Sequence, residues 1–121
     1  MSLKISIRHV ESVAVIDLIG RVTLGEASGS LRDSIKDLVS KDDKNILLNL
    51  EGVSYIDSSG LGEIVGAFAT VSNRGGRLKL LGLQQRVHDL MQLTKLYSVF
   101  EIFTDETTAV QSFQTRADAA R

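Results

Sequence analysis

The chain contains no cysteine and no proline in 121 residues. Without cysteine there is neither a disulfide framework nor a thiolate metal site, and the two histidines, His9 and His88, lie in separate segments. No metal or cofactor is therefore expected. Without proline, turns must rely on glycine, asparagine and aspartate. An excess of one charge sign is missing too. The 14 Lys and Arg against 15 Asp and Glu leave a formal net charge of −1, and the basic residues are scattered, so no electrostatic footprint for nucleic acid exists. Long apolar runs are also lacking: none approaches the ~20 residues that cross a bilayer, and Lys4 and Arg8 near the N-terminus are not joined to the apolar core of a signal peptide. The expectation is a cytoplasmic protein that neither inserts into membranes nor binds nucleic acid directly.

What is present is the composition of an ordinary globular chain: 43% hydrophobic, 24% charged, mean hydropathy +0.07, far from the signature of disorder. The length fits one domain over residues 1–121, with room for a single core but not for a separate substrate domain. A polar, alanine-rich tail from about residue 114 is expected to fray.

Hydrophobic periodicity divides the chain into elements. Ile5, Ile7 and Val10 alternate with polar residues, and Val13 to Ile19 is largely β-branched; the two runs read as a hairpin, with Glu11 and Ser12 as the turn and Gly20 ending the second strand. Ala27, Leu31, Ile35, Leu38 and Val39 fall on one helical face. Ile46 to Leu50 is a near-continuous apolar run suited to a central strand covered on both faces. A second helix starts near Leu61, carries Ile64, Val65, Phe68 and Val71, and closes at Arg74, Gly75 and Gly76. Leu78 to Leu81 is a strand, and Gln84 to Leu93 a short helix with Val87, Leu90 and Met91 on one face. Tyr97 to Phe103 holds an edge strand, and Asp105 caps a last helix whose Val110 and Phe113 face the core. This order predicts an α/β fold, a mixed sheet of about five strands with about four helices.

Three glycine or serine patterns invite functional readings that their neighbours exclude. Gly20 and Gly25 have phosphate-loop spacing, but Glu26 and Ala27 stand where Lys and Ser or Thr are required, and a glutamate there repels phosphate. Gly60, Gly62 and Gly66 approach a dinucleotide fingerprint, yet the third glycine is one residue late and the motif lies outside the first βαβ unit. Ser58 and Ser59 lack the flanking glycine of a nucleophile elbow, with Ile56 before Asp57, and no local histidine supplies a base. Lone surface histidines account for His9 and His88. No catalytic residue is assigned; the expectation is a protein that is not an enzyme. Gly62, Gly66 and Ala67 lie away from the apolar stripe of the second helix, leaving a face on which a partner's backbone can approach closely, although solvent exposure alone also accounts for small residues.

The junction from Ile46 to Phe68 organises the rest: an apolar run, the turn Asp57-Ser58-Ser59-Gly60, then a helix. Backbone N–H groups in a first helical turn lack intrahelical partners and lie at the positive end of the helix dipole. The residues leave two readings open there. Asp57, Ser58 or Ser59 is a helix cap, or a serine is a phosphoacceptor whose added charge the helix start tolerates.

The segment Val53-Ser54-Tyr55-Ile56-Asp57-Ser58-Ser59-Gly60-Leu61-Gly62, preceded by the Ile46 to Leu50 run and by Gly20 before the first helix, resembles the STAS domain of bacterial anti-sigma-factor antagonists. The resemblance covers about Leu3 to Phe113. It implies that Ser58, directly after the aspartate, is phosphorylated by an anti-sigma factor that is also a serine kinase. The unphosphorylated protein binds that partner and releases a sigma factor, phosphorylation breaks the complex, and a phosphoserine phosphatase resets it. In that scheme Asp57 orients the hydroxyl or helps place the kinase's metal, and Ser59 and Gly60 shape the helix start. Gly62, Glu63 and Gly66 form the docking face with Arg21 to Leu24, Arg21 and Thr23 among them. The protein is then a monomer or weak dimer. Members often carry an acidic kinase-contacting residue where this chain has Thr23, and an aspartate ending the central strand where it has Asn49. The alternative within the same family is a STAS interaction module in a larger signalling or membrane-transport assembly, with the serine acting mainly as a cap.

Overall fold

The computed structural model describes residues 3–119, with side chains as far as residue 114. Five strands, β1 (Leu3–Val10), β2 (Val13–Val22), β3 (Asn45–Ile56), β4 (Arg77–Leu81) and β5 (Ile102–Phe103), alternate after the hairpin with helices α1 (Glu26–Ser40), α2 (Ser58–Asn73), α3 (Gln85–Thr94) and α4 (Glu106–Ala119). The strands lie in one sheet in sequence order, β1-β2-β3-β4-β5. β1 and β2 are antiparallel, and every later pairing is parallel. The mixed five-stranded sheet with four helices is the α/β fold that the periodicity predicts.

β3 explains why its sequence is apolar without alternation. Ile46, Leu48 and Leu50 point to one side, where they pack with Leu31 and Ile35 of α1, Ile64 and Val71 of α2, and Val87 and Met91 of α3. Leu47 points to the other, against Val13, Val15 and the Ala109, Val110 and Phe113 side chains of α4. Over Ile46 to Leu50 the strand has helices on both faces and no solvent side to make polar, whereas the exposed Glu51 and Ser54 lie beyond that stretch. Each of these leucines or isoleucines, fully buried, contributes roughly 1.5–3 kcal/mol relative to exposure, so the central strand anchors both layers.

Polar groups tie the α4 layer down. Arg8 of β1 donates to both Asp17 carboxylate oxygens, at 2.6 and 3.1 Å, and to both of Glu106, at 2.8 and 2.6 Å. These charge-assisted bonds hold the Arg8 guanidinium well above its ordinary pKa and push the carboxyls of Asp17 and Glu106 down. Asn49 lies inside β3 rather than at its end and donates to Asp17 at 2.8 Å. Lys79 on β4 is only 2% exposed. Its Nζ donates to Ser112 Oγ at 2.9 Å, pairs with Glu101 at 3.4 Å and sits 4.6 Å from the Phe113 ring centroid, so the groups meeting a buried charge include a carboxylate, a hydroxyl and an aromatic face.

Several expected boundaries move. β2 does not stop at Gly20; it continues to Val22, where it pairs with Ile56 of an equally lengthened β3, with register shifts at Asp17/Ile19 and Gly20/Arg21. Arg21 and Val22 therefore belong to the strand, and Val22 is fully buried. α2 begins at Ser58, a turn before Leu61. Ala67, read as facing away from the core, is buried within it. Tyr97 lies in a single 3-10 turn, Leu96–Ser98, and the edge strand is reduced to two residues. Asp105 caps α4 as expected, accepting from the Thr108 N–H at 2.9 Å. The fraying expected after residue 114 falls where side chains lie outside the described residues.

Candidate functional site at the start of α2

β3 and β2 end side by side, and the chain turns into α2 at that shared edge. Asp57 makes the turn in an extended conformation, φ −93° and ψ −178°. Its Oδ1 accepts the Gly60 N–H at 2.8 Å, satisfying one of the helix's open donors. Its Oδ2 accepts the Leu24 N–H at 3.1 Å, and its own N–H donates to the Val22 carbonyl at 3.3 Å. The amides of Gly60 and then Leu24, both donating to the charged form, hold the Asp57 carboxyl below the usual carboxylate range.

This assigns the capping role. Of Asp57, Ser58 and Ser59, Asp57 is the cap, and both its oxygens are taken by backbone amides. Each carboxylate oxygen thus serves the fold through one backbone amide. Ser58 is exposed and Ser59 half-buried, and among the described residues neither side chain makes a hydrogen bond. The junction thus pairs an engaged carboxylate with a free, solvent-facing hydroxyl.

The remaining candidates separate into two groups. Gly60 is buried, and a β-carbon there would fall on the Val22 carbonyl; its lack of a side chain lets α2 seat against β2. It has little surface to offer a partner. Gly62 and Gly66 are exposed, with open space where a β-carbon would stand. Glu63 beside them forms a two-pronged pair with Arg32 of α1, at 2.7 and 3.2 Å, locking the two helices together. Across the junction the Arg21 guanidinium lies 4.9 Å from the Tyr55 ring centroid, Thr23 is half-buried and Leu24 is 75% exposed.

On the other side of Ser58, α3 contributes residues that sequence reasoning did not connect to the site. Arg86, Leu90 and Leu93 share an open groove of about 490 Å³ with Ser58 and Tyr55. The helical face of Leu90 was legible, but its neighbour across space was not. Leu93, 81% exposed, was the available signal: a large apolar side chain outside the core stripe.

The histidines stand apart from this junction. His9 Nε2 lies 2.7 Å from Asp43, linking β1 to the connector before β3. The His88 ring packs edge-on against Tyr97 with its Nδ1 buried, so it is not the lone surface side chain that its sequence context implies. Among the described residues there is no cluster of three or more metal-ligating side chains, and no helix is long and apolar enough to cross a membrane.

Residues 4–109 match the model of the STAS domain. The chain is 30% identical over 111 residues to the anti-sigma-B factor antagonist of Bacillus subtilis (strain 168), covering 92% of this chain and 100% of that protein. Its fold is similar to that of an anti-sigma factor antagonist from Mycobacterium paratuberculosis, with TM-score 0.80, 16% identity, and coverage of 93% of this chain and 95% of that one. It is also similar to the Bacillus cell fate determinant SpoIIAA in its phosphorylated form, with TM-score 0.71, 22% identity, and coverage of 90% and 98%. With most of its length matched by the family model and a relative at 30% identity aligned over that relative's whole length, the chain belongs to the STAS domain family.

Proposed function

We propose that the protein is an anti-sigma-factor antagonist controlled by phosphorylation of Ser58. In its unmodified form it binds an anti-sigma factor that is also a serine kinase and so frees a sigma factor. Phosphorylation ends that binding, and a phosphoserine phosphatase restores it. The protein acts by occupying its partner rather than by catalysis.

The observation that carries this reading is the division of labour at the helix start. Asp57 supplies the cap, which leaves the exposed Ser58 hydroxyl with no structural duty to lose on modification. A phosphoserine brings about −1.5 to −2 charges. Placed beside Asp57 on a docking surface, that charge meets like-charge repulsion and a desolvation cost, and a loss of ~3 kcal/mol weakens binding about a hundredfold. The exposed Gly62 and Gly66, with Leu24 and Thr23 on the adjoining loop, supply a low-relief surface next to the hydroxyl for the partner. The curated relative at 30% identity is an anti-sigma-B factor antagonist, which supports the same partner class.

Intact-mass analysis after incubation with candidate anti-sigma kinases and ATP, followed by peptide mapping, tests the site. One added phosphate on Ser58 is expected. Modification at Ser59, or none with any candidate, overturns the assignment.

A further inference from the structure

We propose that Arg86 is the internal partner of a phosphate on Ser58, so that modification links α3 to the start of α2 across the groove they share; this rests on the reading of Ser58 as phosphoacceptor. Ser58 and Arg86 line the same groove of about 490 Å³. The other charged groups that face it are Asp57 and Asp89. Both oxygens of Asp57 are held by backbone amides, and Asp89 accepts from Gln85 Nε2 at 2.8 Å and lies 3.9 Å from His88 Nδ1. Arg86 is exposed and has no hydrogen bond or ion pair with any described residue, although two carboxylates share its groove. It is the only cation among the groove's described lining residues. The neighbouring groove, bounded by the same Tyr55 and Arg86, brings up Arg21, but that guanidinium is already stacked on the Tyr55 ring.

In the unmodified protein Ser58 offers a single neutral acceptor oxygen, and no hydrogen bond joins it to Arg86. A phosphate there presents several strong acceptor oxygens, and the planar fork of an arginine matches two of them at once. A bridge from Arg86 to Ser58 would join two residues that line one groove together with Leu90 and the 81%-exposed Leu93. Phosphorylation then changes the shape and apolar content of the surface as well as its charge, which repulsion by Asp57 alone does not do.

The test uses the full chain with phosphoserine installed at position 58 during synthesis, so no kinase is involved. A ³¹P NMR pH titration reads the second ionisation of the phosphate, ordinarily near pKa ~6, in the otherwise native protein and in Arg86→Gln. A guanidinium engaged with the dianion is expected to lower that pKa by at least about half a unit relative to Arg86→Gln, with unchanged far-UV circular dichroism. Superimposable titration curves overturn the proposal, since they mean that the phosphate stands in solvent. Failure of every kinase to modify Ser58 sinks the switch but leaves this titration readable, so the two failures are distinguishable.

Discussion

The Asp57 carboxylate accepts the backbone N–H of Leu24 at 3.1 Å while capping its own helix through Gly60. One side chain therefore couples the loop between β2 and α1 to the first turn of α2. The exposed Leu24 and the exposed Ser58 are held in fixed relation by a carboxylate whose two oxygens each accept a backbone amide.

Replacing Asp57 separates its two jobs. Asn is as good an N-cap as Asp, but its amide has one acceptor atom, so it cannot accept from both Gly60 and Leu24 through separate oxygens. Asp57→Asn is expected to keep α2 while releasing the loop, read as faster hydrogen exchange at the Leu24 amide by about tenfold. Asp57→Ala loses both bonds, and its Tm should fall by about 3–6 °C, more than for Asp57→Asn. Undiminished protection of Leu24 in either variant would show that the carboxylate does not hold the loop.

Acid should loosen the α4 layer. The carboxyls of Asp17 and Glu106 are depressed by their bonds to Arg8. A depressed folded-state pKa contributes stability that is complete above the unfolded value, about 4, and is lost as pH falls through the lower folded values. Because Arg8 is 42% exposed, solvent screening limits that contribution to about 1 kcal/mol. Urea unfolding from pH 5 downward should show a shallower acid limb for Arg8→Ala than for the native chain. Parallel acid limbs would mean that the network contributes nothing on the pH axis.

The sequence carries the core and withholds the edges. Leu31 and Ile35 of α1, Ile64 and Val71 of α2, and the Ile46 to Leu50 run are legible because burial imposes a period on them, and each sits where its period places it. The extension of β2 through Gly20 is not legible, because it depends on pairing with β3 across a register shift and no local propensity encodes it. Nor does any pattern mark Lys79 as buried, since its environment is assembled from distant residues that include Glu101, Phe103 and Ser112. At the site, Asp-Ser-Ser-Gly-Leu announces a helix start, but three oxygen-bearing residues in a row are chemically equivalent caps on paper. Asp57 is selected because the helix starts at Ser58, which sets the Asp57 carboxylate against the Gly60 N–H, and the Leu24 amide, a tertiary contact, then engages its second oxygen. The groove with α3 is invisible for the same reason.

Two glycines of α2, Gly60 and Gly62, should respond oppositely to alanine. At Gly60 the added methyl meets the Val22 carbonyl, and since backbone cannot rotate aside, Gly60→Ala should destabilise by about 2–3 kcal/mol. At Gly62 the space is open, and alanine's better helix propensity should stabilise by about 0.5–1 kcal/mol. Denaturant midpoints measure both. If the docking face includes Gly62, Gly62→Arg should fold normally yet bind an anti-sigma partner at least about tenfold more weakly; native affinity would remove Gly62 from that face.

The decisive pair is Ser58→Ala and Ser58→Asp, because the Ser58 hydroxyl is exposed and takes no part in capping α2. Ser58 contributes no cap, so both variants should keep the native unfolding free energy within about 0.5 kcal/mol, the range of surface substitutions. A serine that capped α2 would instead cost ~1 kcal/mol on conversion to alanine, and that outcome would favour the scaffold alternative. Binding should diverge where stability does not. Ser58→Ala should retain native affinity for a cognate anti-sigma kinase and hold it in the presence of ATP. Ser58→Asp carries about half the charge of a phosphoserine, so its affinity should fall by at least about tenfold, against the hundredfold expected of the phosphate. Calorimetric titration of both variants against the same partner decides it, and equal affinities would leave the exposed hydroxyl without a regulatory role.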